Sequence, residues 1–183
     1  MFQEIIIAGF GGQGVMSMGQ LIAYAGMMEG KFVSWLPSYG PEQRGGTANV
    51  SVVLSDEPVG SPVVIHPSTA IVLNNPSFNK FDQKICPGGL LIVNSSLVTR
   101  KSERKDITVS EINAPEGAGE LGNAKIATIF LLGAFIEISN ALSVSSVIKS
   151  LKKVLPPEKH HLISLNELAL KKGAQLAMEK ASN

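Results

Sequence analysis

Two glycine-rich stretches carry the chemistry this chain advertises. The first is Gly9-Phe10-Gly11-Gly12-Gln13-Gly14, and the second is Tyr39-Gly40-Pro41-Glu42-Gln43-Arg44-Gly45-Gly46, about one βα unit later. In a dinucleotide fold the glycines of such a turn bend the chain tightly, admit a pyrophosphate to the backbone and let helix close on strand. Gly9, Gly11 and Gly14 hold those places, and Gly11-Gly12-Gln13 aims main-chain N–H groups where a helix start gathers anions. A nicotinamide site also wants Asp or Glu at the end of the second strand to hold the ribose. Roughly twenty residues past Gly14 the chain offers Ser34, Trp35 and Leu36, none of them acidic. Glu29 falls on the helix before that strand. Three uses of the turn stay open: close packing of strand, helix or a neighbouring subunit; the phosphate of some other ligand; a nucleotide cofactor.

In the second stretch Arg44 presents a planar, permanently charged fork for carboxylate or phosphate, with Glu42 beside it to orient or pair it. Gly45 and Gly46 remove side-chain bulk before the next strand. Loops of this kind lie at the surface and carry recognition, although an internal Glu–Arg pair in a structural turn is the competing use. Other chemistry is thin. His160 and His161 are adjacent, so on a helix they point to different sides and make a poor metal pair; His66 precedes Pro67 in a loop. Ser17, Ser38, Ser68, Ser143, Ser145 and Ser146 lack a nucleophile elbow. A solitary Cys86 excludes an internal disulfide, and it excludes a cysteine-held iron–sulfur cluster or structural zinc supplied by this chain alone.

The elements that must position these loops follow from apolar spacing. Ile5 to Ala8 is a continuous apolar run ending at glycine, as in a central strand buried on both faces. Val15, Met18, Ile22 and Ala25 recur at helical spacing, and Gly30 ends that helix. Lys31 to Leu36 reads as a second strand, completing a right-handed βαβ unit with a parallel pair. Thr47 to Ser55 alternates, which predicts a strand with one polar face, near an edge and antiparallel. Ala70 to Leu73, Leu90 to Val93 and Ile107 to Val109 are further strands, with a short polar segment from Pro76 to Ile85. The last third reads as helical. Leu121 to Ile138 is one long buried helix, Ser143 caps a helix stopped at Pro156-Pro157, and a closing helix runs from about Glu158 to Met178. The expected architecture is a single domain over residues 1–183: a three-layer α/β/α sandwich, Rossmann-like, with a mostly parallel or mixed sheet.

Composition narrows the function classes. Of the 183 residues, 44% are apolar and 17% charged, which fits a globular subunit with a covered face. A formal charge of +1 gives no electrostatic reason for nucleic acid or an anionic membrane. The cluster Arg100-Lys101-Ser102-Glu103-Arg104-Lys105 mixes acid with base and reads as a solvated loop. Ile126 to Ile138, broken by Thr128, Gly133 and Glu137, is too short to span a bilayer. A cytoplasmic protein is expected.

Taken together, the two loops resemble a known family. Gly-Phe-Gly-Gly-Gln-Gly after a first strand, then Pro37-Ser38-Tyr39-Gly40-Pro41-Glu42-Gln43-Arg44-Gly45-Gly46-Thr47-Ala48-Asn49 leading into a third, is similar to the gamma subunit of 2-oxoacid:ferredoxin (acceptor) oxidoreductases. Leu121-Gly122-Asn123, Leu131-Leu132-Gly133-Ala134, Pro156-Pro157, Asn166 and Gly173 extend the likeness over nearly the whole chain. The second loop resembles the 2-oxoglutarate and branched-chain types more than the indolepyruvate type. The resemblance implies a complex that oxidatively decarboxylates a 2-oxoacid onto coenzyme A and passes electrons to ferredoxin or another acceptor. Thiamine diphosphate with Mg, and iron–sulfur clusters, would sit on the alpha and beta subunits or on a delta, ferredoxin-like one. This chain has no Gly-Asp-Gly opening of a thiamine site, which leaves Asn74-Asn75 an orphan match. No catalytic residue and no metal ligand is therefore expected here. Gly9, Gly11, Gly12, Gln13, Gly14 and Arg44 are the candidates for contact with coenzyme A phosphate. Tyr39, Gly40, Pro41, Glu42, Arg44, Gly45 and Gly46 are the candidates for a subunit interface. A stand-alone Rossmann-like NAD-binding oxidoreductase domain and a scaffold binding no small molecule are the alternatives.

Overall fold

The computed structural model describes residues 1–40 and 45–181. Among them six strands form one mixed sheet: β1 (Phe2–Phe10), β2 (Phe32–Tyr39), β3 (Thr47–Ser55), β4 (Thr69–Val72), β5 (Leu90–Asn94) and β6 (Thr108–Ile112). Their spatial order is β2-β3-β1-β4-β5-β6. From β1 to β6 the neighbours run parallel, while β3 is antiparallel to both β1 and β2. The apolar runs of β1, β4 and β5 are buried on both faces, as near-continuous Ile, Val and Leu demand in a parallel region.

Six α-helices cover the sheet: α1 (Val15–Met28), α2 (Asn75–Phe81), α3 (Ala114–Glu120), α4 (Ala127–Ser139), α5 (Val144–Val154) and α6 (Ile163–Ala181). On one face Ile5, Ile7, Val50, Val52 and Ile71 join a core built with α1, α4, α5 and α6. On the other, Ile6, Ala8, Ala70 and Val72 meet Phe78 and Phe81 of α2. The three-layer α/β architecture is as expected, and three details differ.

First, β1 and β2 are parallel in direction but not neighbours, because β3 lies between them. The loop after β2 is a hairpin connection, and it returns the chain into the gap. Second, β3 is antiparallel and one place from the edge, as its alternation predicts, yet its serine face is not open. Ser51 and Ser55 are buried, and Ser55 stands in register between Phe2 and Phe32. Cross-strand partners share a face, so the two aromatics flank the serine from either side. Third, the stretch from Leu121 to Ile138 is not one helix. Gly122 takes a left-handed turn (φ 70) after α3, and Asn123 caps a new 3₁₀ turn by accepting from Lys125 N–H at 3.0 Å.

Three smaller differences matter for placement. Residues 76–85, read as a polar connection, contain α2, whose N-cap Asn74 accepts from Ser77 N–H at 2.9 Å with proline in the first turn. The closing helix begins later than expected, because Pro157–Leu162 forms a 3₁₀ turn first. Arg104, expected in a solvated loop, is 13% exposed at its side chain. Its guanidinium donates to the carbonyls of Asp82 (3.0 Å) and Ile85 (2.7 Å) and pairs with Asp106 at 2.6 Å. That fork fastens the end of α2's segment to the approach to β6.

Candidate functional site

The end of β1 delivers the glycine turn to the carboxyl edge of the parallel strands. Gly9 has no room for a side chain, because a Cβ there would lie 3.1 Å from both Leu73 Cβ and Val15 Cγ2. This is the close strand–helix approach that the motif's glycine permits. Gln13 folds back so that its Oε1 accepts from Phe10 N–H at 2.6 Å and from Asn74 Nδ2 at 3.4 Å. Gln13 is thus the turn's internal brace. Gly12 (φ 93) and Gly14 (φ 82) both hold left-handed backbone, and Gly14 starts α1 with no side-chain cap. The first helical bond onto the turn is Met18 N–H to Gly14 O at 3.0 Å. Among the described residues the N–H groups of Val15, Met16 and Ser17 have no acceptor, so α1 opens with its donors and its dipole's positive end unanswered.

Of these three residues Ser17 lies in the wall of a cleft of about 620 Å³, lined also by Gly12, Gln13 and Gly14, by Leu73 and Asn94 at strand ends, and by Lys125, Thr128 and Lys159. Its position follows from the topology. The chain leaves β1 through α1 on one face and leaves β4 through α2 on the other, so the crossovers part between β1 and β4. Open α/β sheets form their ligand crevice where the connections diverge, outside the carboxyl ends of the strands. Thr128 packs on the turn itself, 3.1 Å from where a Gly14 side chain would begin.

The second loop meets the first directly. Gly11 N–H donates to Gly46 O at 2.9 Å, and Gly40 N–H donates to Thr47 O at 2.8 Å, closing the β2–β3 hairpin beside the glycine turn. Tyr39 is 63% exposed, and Gly45 (φ 75) has open space around it. Pro41, Glu42, Gln43 and Arg44 lie outside the described residues, so the Arg44 fork and the Glu42–Arg44 pairing have no structural account. The structure therefore brings Gly11, Gly40 and Gly46 together and leaves Arg44 to be placed.

Other sequence candidates resolve into local roles. Asn74 caps α2, and Asn75 holds the Thr99 N–H at 3.0 Å, so neither is free for a thiamine diphosphate metal. His160 Nε2 contacts Leu155 O at the end of α5, and His161 Nδ1 contacts Glu158 O in its own turn. No cluster of three or more metal-ligating side chains occurs among the described residues. No helix there is long and apolar enough to cross a membrane. Among the described residues no acid stands at the end of β2 for an NAD ribose, and that terminus, at Tyr39, is carried away from β1 by the intervening β3.

This arrangement agrees with what the chain is similar to. A model of the pyruvate ferredoxin/flavodoxin oxidoreductase family matches residues 4–176. The chain belongs to that family. One relative of this oxidoreductase-family chain is the 2-oxoglutarate synthase subunit KorC of Methanocaldococcus jannaschii, 34% identical, with 98% of this chain and 96% of the relative covered. Another is the ketoisovalerate oxidoreductase subunit VorA of Methanothermobacter thermautotrophicus, 38% identical over 96% of this chain. The chain spans only 36% of that VorA, about a third of its length. Among solved structures, a keto/oxoacid ferredoxin oxidoreductase gamma subunit from Geobacter sulfurreducens superposes with a TM-score of 0.81 at 27% identity, covering 97% of this chain and 99% of that one. The resemblance carried by the two loops is thereby borne out. What the loops did not reveal is the far wall of the cleft: Asn94, Lys125, Thr128 and Lys159 come from three distant segments. No local pattern marks them, and only the fold's crossover geometry joins them to the turn.

Proposed function

We propose that the chain is the gamma subunit of a cytoplasmic complex that oxidatively decarboxylates a 2-oxoacid onto coenzyme A and passes the electrons to ferredoxin or another acceptor. The observation that carries this is a same-length KorC relative matched from end to end, within a family match that spans residues 4–176. The same relative favours 2-oxoglutarate, and the VorA match makes a branched-chain 2-oxoacid the competing substrate. Thiamine diphosphate with Mg and the iron–sulfur clusters fit poorly to this chain, since Asn74 and Asn75 are already engaged and Cys86 is solitary. Alpha and beta subunits, with a delta or ferredoxin-like one, would supply them.

Within that complex this chain's own work is positional. The glycine turn and the hairpin end are bonded through Gly11 and Gly46 and stand at one edge of the sheet. Exposed Tyr39 and Gly45 offer main chain to a neighbouring subunit. Gly11 to Gly14 together with Arg44 would receive the phosphate-bearing end of coenzyme A, the turn by N–H donation and Arg44 by its fork. Co-purification with the partner subunits, followed by turnover on a panel of 2-oxoacids, tests the assignment. Titration of the assembled complex with coenzyme A tests the contact. A raised apparent coenzyme A constant in Arg44→Ala and Gly12→Val complexes supports it, whereas unchanged constants reduce both loops to packing.

A further inference from the structure

We propose that Cys86 is a site of reversible disulfide exchange with small aminothiols, which are selected by the pocket it lines at the amino ends of β4, β5 and β6. This pocket lies at the opposite end of the parallel strands from the glycine turn. It measures about 320 Å³, and Cys86, Ser68, Thr69, Thr108, Ile138 and Ser139 are among its walls. The strand register explains one wall. Thr69, Leu90 and Thr108 are matched across β4, β5 and β6, and cross-strand partners share a face. Leu90 belongs to the core built with α4, so that face is the one on which α4 ends, at Ile138 and Ser139. Cys86 enters from the turn before β5. Its main chain is fixed by Cys86 N–H to Pro67 O at 3.0 Å and by Gly89 N–H to Cys86 O at 2.9 Å. The thiol is half-buried and donates to His66 O at 3.1 Å.

Thr69 points to a guest independently of the thiol. It is 2% exposed, yet its hydroxyl makes no hydrogen bond among the described residues. Adjacent Ser68 shows the contrast, since its Oγ accepts from Glu4 N–H at 3.0 Å and donates to Gln3 Oε1 at 2.8 Å. Nor is Thr69 sealed off as the unpartnered Ser110 Oγ is; its remaining opening is onto the pocket it lines. Buried hydroxyls are seldom left unpaired, because the missing bond costs stability. The local field gives the guest its charge. No Asp, Glu, Lys or Arg lines the pocket, and the thirteen-residue α4 turns the negative end of its dipole to it. The Ile138 and Ser139 carbonyls there accept no bond among the described residues. An ammonium group therefore fits, donating to those carbonyls and to Thr69 Oγ1. A thiol beside an ammonium subsite selects a disulfide whose sulfur carries a short aminoalkyl chain. The Cys86 thiolate attacks one of its sulfurs, a new S–S bond forms as the old one breaks, and the second aminothiol leaves with the proton that Cys86 gave up. Cys86 is oxidised and the released aminothiol is reduced. With no second cysteine in the chain, exchange stops at the mixed disulfide, which a reductant reverses.

The test incubates the reduced, full-length purified chain with cystamine, with the neutral bis(hydroxyethyl) disulfide and with the anionic dithiodiglycolate, and follows adducts by intact mass. Each rate is divided by the rate of the same disulfide with N-acetylcysteine, which removes differences in intrinsic reactivity. One cysteamine per chain is expected, released by reductant. The normalised rate for cystamine should exceed that for the neutral disulfide roughly tenfold, the scale of one charge-assisted hydrogen bond, with the anionic disulfide slowest. Thr69→Val, which keeps the shape of the side chain and suits a strand, should lose most of that preference, whereas Thr69→Ser should keep it. Three results overturn the site: no adduct, equal normalised rates for the three disulfides, or a preference unchanged in Thr69→Val with its fold intact. The coenzyme A titration of the assembled complex is independent of all three, so the two readings fail separately.

Discussion

Gly12 and Gly14 hold the same left-handed backbone, but their surroundings differ, and that difference is measurable. A Cβ at Gly12 meets open space, so Gly12→Ala should cost only the conformational strain, about 1 kcal/mol. At Gly14 the added atom also presses on Thr128 at 3.1 Å, and the loss should reach about 2–3 kcal/mol. Equal midpoints for the two variants in urea unfolding would contradict that ordering. Glu29 is out of place as a ribose acid, and the structure gives it other work. Its carboxylate accepts from Ser143 N–H at 2.7 Å and so caps α5 from the end of α1. Partial burial pushes its pKa up, but the bonds from Ser143 and Ser146 and the nearby Lys31 charge outweigh it, leaving the pKa below the ordinary value. A depressed carboxylate stabilises the fold above its unfolded pKa and loses that contribution as pH falls through the folded one. Glu29→Gln should therefore cost about 0.5–1 kcal/mol at pH 7, and the gap from wild type should close as the solution is acidified below the ordinary glutamate range. A gap that persists in acid would rule out the charge. The role of the glycine turn was legible from spacing. The role of Glu29 was not, because its partner lies 114 residues away.

The helices show where pattern reading succeeds and where contact decides. α4 and α6 cross with their backbones touching: a Cβ at Gly133 would fall on Leu170 O, and one at Gly173 on Phe130 O. Backbone cannot move aside as a flexible side chain can, so Gly133→Ala or Gly173→Ala should cost about 3 kcal/mol, the upper range for overpacking. Gly119 is the control. It lies in α3 with nothing near its Cβ position, and Gly119→Ala should be neutral or stabilise by about 0.5–1 kcal/mol. Thermal unfolding of the three variants would settle it, and a similar loss for all three would mean that helix propensity, not the crossing, sets the values. Periodicity found α1 and α5 because each shows one apolar stripe to the core. It merged the region from Leu121 to Ile138 because the apolar run from Ile126 onward dominates the pattern, although the exposed Gly122 and the capping Asn123 are the local marks of the break. The same blindness hid the place of β3: alternation announces an antiparallel strand, but not which neighbours it slips between.

At the scale of the whole molecule, the sheet's architecture sorts residues into those that hold it and those left for others. The β2–β3 hairpin projects past β1, anchored by Gly11 N–H to Gly46 O, with Tyr39 exposed at its end. Removing a ring that buries little within the chain should leave its own stability almost unchanged, within about 0.5 kcal/mol. An aromatic at the centre of a subunit contact is a different matter, since such residues carry a disproportionate share of association energy. Tyr39→Ser should therefore keep the wild-type melting temperature as an isolated chain, yet reduce recovery of the partner subunits by roughly tenfold or more, the equivalent of about 2 kcal/mol. The paired measurement separates the outcomes. A lowered melting temperature would make Tyr39 part of the fold, and undiminished recovery with an intact fold would move the interface away from the hairpin end. Ser17→Ala, in the wall of the cleft, supplies the comparison: partners should be recovered as from wild type if the hairpin end carries the contact.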